Sequence, residues 1–535
     1  VSLPGLAAQA APEFIDPTSC KAWLDNAPLA NVGAAQSDLI AQLREFNRFP
    51  TTPDNRLAVM EALREAVSFV QVEQAKRFTN RALPMPEAES DAFASTIALW
   101  DEMRAGYQRC LDAALEHEGP LRQQAGLICQ RLLAYLGLRM FHHHRAYREV
   151  PAADWRALHQ AYGRAERLEV AEEPVKDFLN RDVHDTSPRI AYARAVLMAL
   201  SGPNELAQRQ LTFVAYLLER WAAKLEVSRE PVDEGEGVPP LLADLEGERC
   251  PERVSGGAHA AQPRYLDARK LAKSLKNRVA LLRKGESPAR LGLGEDCAQP
   301  SCEQLLVFLY RQWCQPRPGR AGERAGGAAG AHVCNDYAAV QYFVSGRQFR
   351  QPGGDAELSQ RQREEIATFG RVSTRHDAEY SDAQGLALER WRIEDEGAHG
   401  MRLVRAADGG TKRYAHGQLV GVRPDDARTF MLGQVRWLMV AANGELHAGV
   451  RLLPGVPGGV AARPTGLNAQ SEKYVPAFAL GAVQALGAPP SLVLPAGWYR
   501  PKRVVELFGD APLRVRLTEV LERGIDFERV VYENA

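Results

Sequence analysis

"GQVRWLMVAANGELHAGVRLL", residues 433–453, decides the fold of the C-terminal half. Two alternating runs flank Asn443-Gly444, a dipeptide suited to tight hairpins because both residues tolerate positive φ. A period of two puts Val435, Trp437 and Met439 on one side of the first strand and Arg436 and Leu438 on the other. Downstream, "SLVLP" (491–495), "KRVVELF" (502–508), "LRVRLTEVL" (513–521) and "FERVVY" (527–532) read as further strands. Short strands at this frequency, divided by turn signals, predict one or two small antiparallel β-barrels from about residue 332 onward.

Upstream the period changes. In "NRLAVMEALREAVSFV" (55–70) Met60, Leu63, Val67 and Val70 step by three and four, a buried stripe on a helix, and "TTPDN" ahead of it supplies cap and turn residues. "DWRALHQAYGRAERL" (154–168) sets Trp155, Leu158, His159, Tyr162 and Ala165 on one face. "SGPNEL" (201–206) stops one helix and caps the next. Residues 228–262, rich in Gly, Pro and acid, read as a linker. "LDARKLAKSLKNRVALLRKGESP" (266–288) follows as an amphipathic helix, capped by Asp267 and ended by Gly285, and "CEQLLVFLYRQWC" (302–314) as a shorter one. The expected fold class is α+β multidomain: a flexible segment (1–36), an all-α domain (37–226), a linker (227–262), a helical connector (263–315), a first barrel (316–460) and a second small β-domain (461–535).

The chain has 535 residues, 66 Lys plus Arg and 67 Asp plus Glu, so its formal charge is −1. No global field is available to hold a DNA or RNA polymer or an anionic membrane, and any anion site must be local. Of the basic residues 55 are arginine, whose planar fork grips phosphate and guanine edges with two bonds at once. No run of about 18 apolar residues occurs, which argues against membrane insertion, and the start lacks a signal-peptide pattern, so a cytoplasmic protein is expected. The eight cysteines are too dilute for a disulfide framework and show no CxxC, so buried thiols are expected and no zinc module.

"RVSTR" (371–375) precedes "WRIEDEGAHG" (391–400), with Asp395 twenty residues beyond Arg375. Together with the "VRW…AGV" hairpin this pattern resembles the PilZ family, bacterial β-barrels that bind the second messenger cyclic di-GMP. The family's signature is RxxxR just before the barrel and, about twenty to thirty residues later, Asp/Asn-x-Ser-x-x-Gly. Arg371 and Arg375 match the first element, Asp395 and Gly400 the ends of the second, and Gly397 stands where the family has Ser. The resemblance implies that Arg371, Arg375, Asp395, Gly397 and Gly400 line a cyclic di-GMP site. Chemically, arginines suit phosphates and guanine Hoogsteen edges, a carboxylate accepts from guanine N1 and N2, and a glycine admits close approach. "RAGER" supplies an alternative pair, Arg320 and Arg324. That pair is the clamp if 333–344 form the first barrel strand; Arg371 and Arg375 are if the barrel starts near Glu389, the favoured reading because it needs no insertion.

"FHHHR" (141–145) offers three adjacent histidines, but neighbours on a helix point about 100° apart and cannot converge on one ion, so an exposed or helix-end cluster is expected. His159 reads as a satisfied core histidine. "LGLGED" lacks the Lys-Ser/Thr of a P-loop, and no GxSxG or HExxH occurs, so neither an enzyme, nor a metal, nor a cofactor is expected. The leading expectation is a signalling effector that senses cyclic di-GMP through the barrel and engages an unidentified protein partner through its helical region. The rival is a scaffold or chaperone-like adaptor whose barrel no longer binds nucleotide; Gly397 in place of Ser favours it.

Overall fold

A computed structural model of the chain describes residues 12–116, 119–233, 237–254, 260–294, 297–315, 329–352, 386–397, 400–465, 472–509 and 511–535. The chain divides into two compact units, 1–81 with 85–321, and 82–84 with 322–535.

The first unit is built from α1 (Pro17–Asn26), α2 (Val32–Arg48), α3 (Pro53–Ala75), α4 (Glu87–Glu116), α5 (Ala125–Arg145) and α6 (Ala152–Arg167). A two-stranded ladder, β1 (Val175–Lys176) with β2 (Asp185–Thr186), then leads to α7 (Pro188–Leu200) and α8 (Gln208–Trp221). Thr52 accepts a hydrogen bond from the Asn55 amide, Pro53 occupies the first turn, and Met60, Leu63, Val67 and Val70 are all fully buried. "SGPNEL" does end α7, with Gly202 at φ +70°, but Gln210 caps α8 by accepting from the Ala207 amide.

Two expectations about the domain layout fail in this unit. α1 lies within the segment expected to be flexible. Residues 227–262 are also more than a linker: β3 (Glu226–Ser228), β4 (Leu241–Asp244), β5 (Glu252–Arg253) and β6 (Pro263–Asp267) form a sheet in the order β3-β6-β4-β5. Leu241, Ala243 and Leu266 are buried in it, an apolar set too short to reveal a period among so many glycines and prolines. α9 (Arg269–Arg283) follows; Asp267 accepts from the Arg269 amide and Gly285, at φ +90°, ends the helix. α10 (Ser301–Cys314) completes the unit. Cys302 in its first turn is disulfide-bonded to Cys297, against the expectation of buried thiols, because five residues of chain bring the two Cα atoms to 5.1 Å. Cys314 and Cys334 are buried thiols.

His159 is fully buried, with Nδ1 against the Tyr192 hydroxyl (2.9 Å) and Nε2 against the Arg249 carbonyl (2.8 Å), a satisfied core histidine. His142, His143 and His144 close α5 but are buried rather than exposed, because Trp100, Phe78 and Phe93 pack around them. No group of three metal-ligating side chains converges among the described residues.

The second unit contains two closed barrels. The first is β7 (Gly330–Cys334), β8 (Glu389–Gly397), β9 (Gly400–Arg405), β10 (Leu419–Pro424), β11 (Met431–Val440) and β12 (Leu446–Leu452), ordered β10-β11-β12-β9-β8-β7, with α11 (Tyr337–Ser345) after its first strand. The second is β13 (Pro457–Pro464), β14 (Val475–Leu480), β15 (Ser491–Pro495), β16 (Val504–Phe508), β17 (Pro512–Arg523) and β18 (Phe527–Asn534), ordered β13-β14-β15-β18-β17-β16. The first barrel therefore opens at Gly330, not near Glu389: "HVC" is its first strand, and "YAAVQYFVS", apolar all along, is a helix covering the sheet rather than more strand.

Apolar residues of both barrels and α11 share one core that includes Val340, Leu419, Leu432, Phe478, Val493 and Phe527. Inside the first barrel Glu389 and Arg405 form a buried ion pair of 2.8 Å, joined by the Tyr414 hydroxyl, which donates to Glu389 (2.8 Å).

Two outcomes follow. Arg405→Ala leaves the Glu389 carboxylate buried without its counter-charge and destabilises the second unit by about 3–5 kcal/mol, read as a lowered denaturant midpoint. The histidine cluster makes the helical unit acid-labile. Burial, acting first, lowers His142 and His143 to about 3 and His144 to about 4, against 6.5 when unfolded. The unfolded chain binds the extra protons, so this stability is complete above pH 6.5 and is lost as the pH falls toward 3–4. Between pH 7 and 5 each histidine contributes about 1–2 kcal/mol of that loss, and His144→Gln flattens the pH dependence of the midpoint.

Candidate functional site

The β8–β9 hairpin carries Asp395, Gly397 and Gly400 and closes at the Gly397–Gly400 pair. A β-bulge shifts its register: Ile393 lies opposite Leu403, and the next pair is Asp395 with Arg402. Glu394 and Asp395 both turn to the outer face, while Ile393 and Leu403 are buried inside. β11 contains the matching device. Val435 pairs with Val450 and the next pair is Trp437 with Gly449, so Arg436 is the extra residue. The simple alternation expected for this strand breaks there: Val435 and Leu438 point inward, each 1% exposed, whereas Trp437 is outside.

Between the two bulges one row of side chains crosses the outer face from Asp395 through Arg402 and Gly449 to Trp437. Gly449 is what lets the indole lie flat, since a Cβ there would fall 1.8 Å from Trp437 Nε1. The Arg402 guanidinium sits 5.5 Å from the Trp437 ring centre, pairs with Glu394 and is 3.2 Å from His447 Nδ1. His447 stands 3.8 Å from Glu394 and 3.7 Å from Glu445; burial, then the Arg402 charge, lowers its pKa and keeps it neutral at pH 7. A flat aromatic surface, a guanidinium and carboxylates on one face can recognise a planar heterocycle by stacking and by both donor and acceptor edges.

Of the residues picked from sequence, the structure brings Asp395, Gly397 and Gly400 together on one hairpin. Gly400 is required by the ladder itself, because a Cβ would meet the Val450 carbonyl oxygen at 2.3 Å. Gly397 has open space beside it, with nothing nearer than 4.0 Å. Arg371, Arg375, Arg320 and Arg324 lie outside the described residues. In chain order, the second pair precedes the first barrel strand and the first pair falls between the first and second strands.

Sequence reasoning missed Arg402, Trp437, His447 and Gly449. Counting register outward from a two-residue Asn443-Gly444 turn sets Trp437 opposite Val450; the ladder instead pairs Val440 with Leu446 and Trp437 with Gly449, so neither this pair nor the bulges could be read from the sequence.

Comparison with known proteins gives this architecture a class. Residues 18–232 match the family described as "Cyclic-di-GMP receptor FimW, N-terminal domain", and residues 460–535 match the "FimW C-terminal beta-barrel domain". The two matches occur in that order and together span just over half of the chain. The chain is also 22% identical over 522 residues to the cyclic-di-GMP receptor FimW of Pseudomonas aeruginosa, covering 90% of this chain and 84% of that protein. The first barrel lies between the two matched stretches.

Gly449→Ala forces the Trp437 indole off the sheet and lowers stability by about 1–3 kcal/mol, whereas Gly397→Ser stays within about 0.5 kcal/mol of the parent, both read by thermal denaturation.

Proposed function

We propose that this protein is a cytoplasmic receptor for cyclic di-GMP that passes the signal to a protein partner through its helical unit. The observation that carries this reading is the likeness to the P. aeruginosa receptor along 90% of the chain, supported by both FimW domain matches. We place the nucleotide on the outer face of the first, PilZ-like barrel, with Asp395 accepting from a guanine edge and Trp437 stacking on a base. One arginine pair would fold over the phosphates. Arg320 and Arg324 have the family's place just ahead of the first strand; Arg371 and Arg375 have its spacing to Asp395. No helix among the described residues is long and apolar enough to cross a membrane, which fits a partner-binding rather than a membrane-spanning role for the helices.

One observation favours the adaptor reading: Gly397 leaves the hairpin without the hydroxyl that the PilZ pattern supplies. Calorimetry with cyclic di-GMP separates the two. The receptor reading expects saturable binding, lost when the correct arginine pair is changed to alanine and weakened about tenfold or more by Trp437→Ala, in line with roughly 1–3 kcal/mol per stacked base. Absence of binding, with a partner still recovered in a pull-down without nucleotide, sinks it in favour of the adaptor.

A further inference from the structure

The helical unit holds a cleft whose charges do not balance. It has a volume of about 390 Å3, and six arginines (Arg44, Arg48, Arg104, Arg109, Arg139 and Arg156) line it against three carboxylates, Asp101, Glu102 and Asp154. Those residues come from α2, α4, α5 and α6, so the walls are rigid helices rather than loops. The volume suits a small ligand, for which roughly 300–1,000 Å3 is usual.

The carboxylates are already engaged. Glu102 pairs with Arg44 (3.0 Å) and accepts from Asn47 Nδ2 (3.1 Å). Asp101 lies 3.4 Å from Arg104 and 3.1 Å from Arg139, and Asp154 also pairs with Arg139. Arg156 turns to Glu248, outside the lining. Setting aside Arg156, and Arg109, which is drawn to Asp112 outside the lining, four arginines face three carboxylates, an excess of one positive charge. Arg48 has no carboxylate partner among the described residues.

Crowding adds to the imbalance. Burial lowers the pKa of Arg109, and the charge of Arg48 pushes it the same way against the pull of Asp112 and Glu102. Burial lowers Arg139 too, with Arg104 adding to it. Guanidinium groups held partly out of water beside like charges are an electrostatic cost that a bound anion would relieve. The first turn of α6, which starts without a side-chain cap, also lines the cleft and turns the positive end of its dipole toward it. Placement of Arg48 in the last turn of α2 favours that helix end, yet it does not account for the five other arginines.

We propose that this cleft binds a small molecule bearing a diphosphate or an equivalent pair of phosphate groups, at a site separate from the barrel. Phosphate is favoured over carboxylate because several guanidinium forks from different helices match the oxygens of a tetrahedral anion approached from several sides.

The test titrates inorganic pyrophosphate into the full chain by calorimetry in about 50 mM salt, where exposed charges are only partly screened. Saturable binding is expected, weakened at least tenfold by Arg48→Gln combined with Arg109→Gln, with cyclic di-GMP binding unchanged in the same variant. Should the double variant lose its native melting transition, Arg48→Gln alone carries the test and weakens binding at least threefold. The proposal is overturned by the absence of saturable pyrophosphate binding, by affinity unchanged in a variant of native melting temperature, or by pyrophosphate binding that disappears instead in Trp437→Ala.

Discussion

The ion pair of Glu389 and Arg405 is the constraint around which the first barrel closes. Both groups are inside the protein, Arg405 at 1% exposure, and taking two such charges out of water costs several kcal/mol apiece unless every lone pair and proton finds a partner. Here each does. One Glu389 oxygen accepts from Arg405 and Tyr414, the other from the Lys412 amide (2.8 Å), and Arg405 donates again to the Lys412 carbonyl (2.8 Å) between the Trp391 and Tyr414 rings. Satisfying the pair draws the chain after β9 across the barrel end. That is why residue 410 is glycine: a Cβ would sit 2.1 Å from Glu389 Oε1. Tyr414, fixed by its hydroxyl, exchanges two backbone hydrogen bonds with Leu83 (2.6 and 2.7 Å), so residues 82–84 join this unit although they are remote in sequence.

The two bulges then decide what the outside of that barrel presents. An ordinary strand alternates, and the hairpin at Asn443-Gly444 was legible because its two runs obey that rule as far as Trp437. A bulge inserts one residue and inverts the assignment beyond it, which no pattern in "QVRWLM" or "RIEDEG" announces. Arg436 and Glu394 are therefore the residues on which a sequence reading of the face fails. The position of Asp395 beside Gly397 and Gly400 was readable from spacing; its company of Arg402 and Trp437 depended on strand pairing.

Legibility in the helical unit divides along similar lines. The stripe of α3 follows from apolar spacing, and its residues are buried. What spacing could not show is that polar residues lie in the same core: Arg64 pairs with Asp177 (2.6 Å), Arg131 with Glu61 (2.9 Å), and Gln130 donates to Asp177 (3.2 Å). These partners lie up to 113 residues apart, so a sequence window sees only isolated charges that look solvated. The three histidines of α5 misled for the same reason, since aromatic rings on α4 and the turn after α3 pack over them. The cationic cleft, too, assembles from four helices, none of which is unusually basic alone.

The two barrels cannot be treated as independent modules. Leu432 and Gln434 on β11 face the second barrel, the first in the shared apolar core and the second donating to the Arg523 carbonyl (3.1 Å), while Asp526 accepts from the Leu419 amide (2.9 Å). Arg451, the residue opposite Gly400, pairs with Glu522 of the second barrel (2.5 Å), and Glu522 in turn holds Arg529 (3.1 Å). The hairpin bearing Asp395 is thus one ladder step from the ionic seam between barrels, and β11 spans from the shared core to Trp437. Hydrogen-bonded strands and a packed core transmit small displacements because neither has slack to absorb them. Any ligand that moved the Asp395 hairpin by a fraction of a residue step would therefore meet resistance at Arg451 and β11, and the work it did there would be done on the second barrel as well.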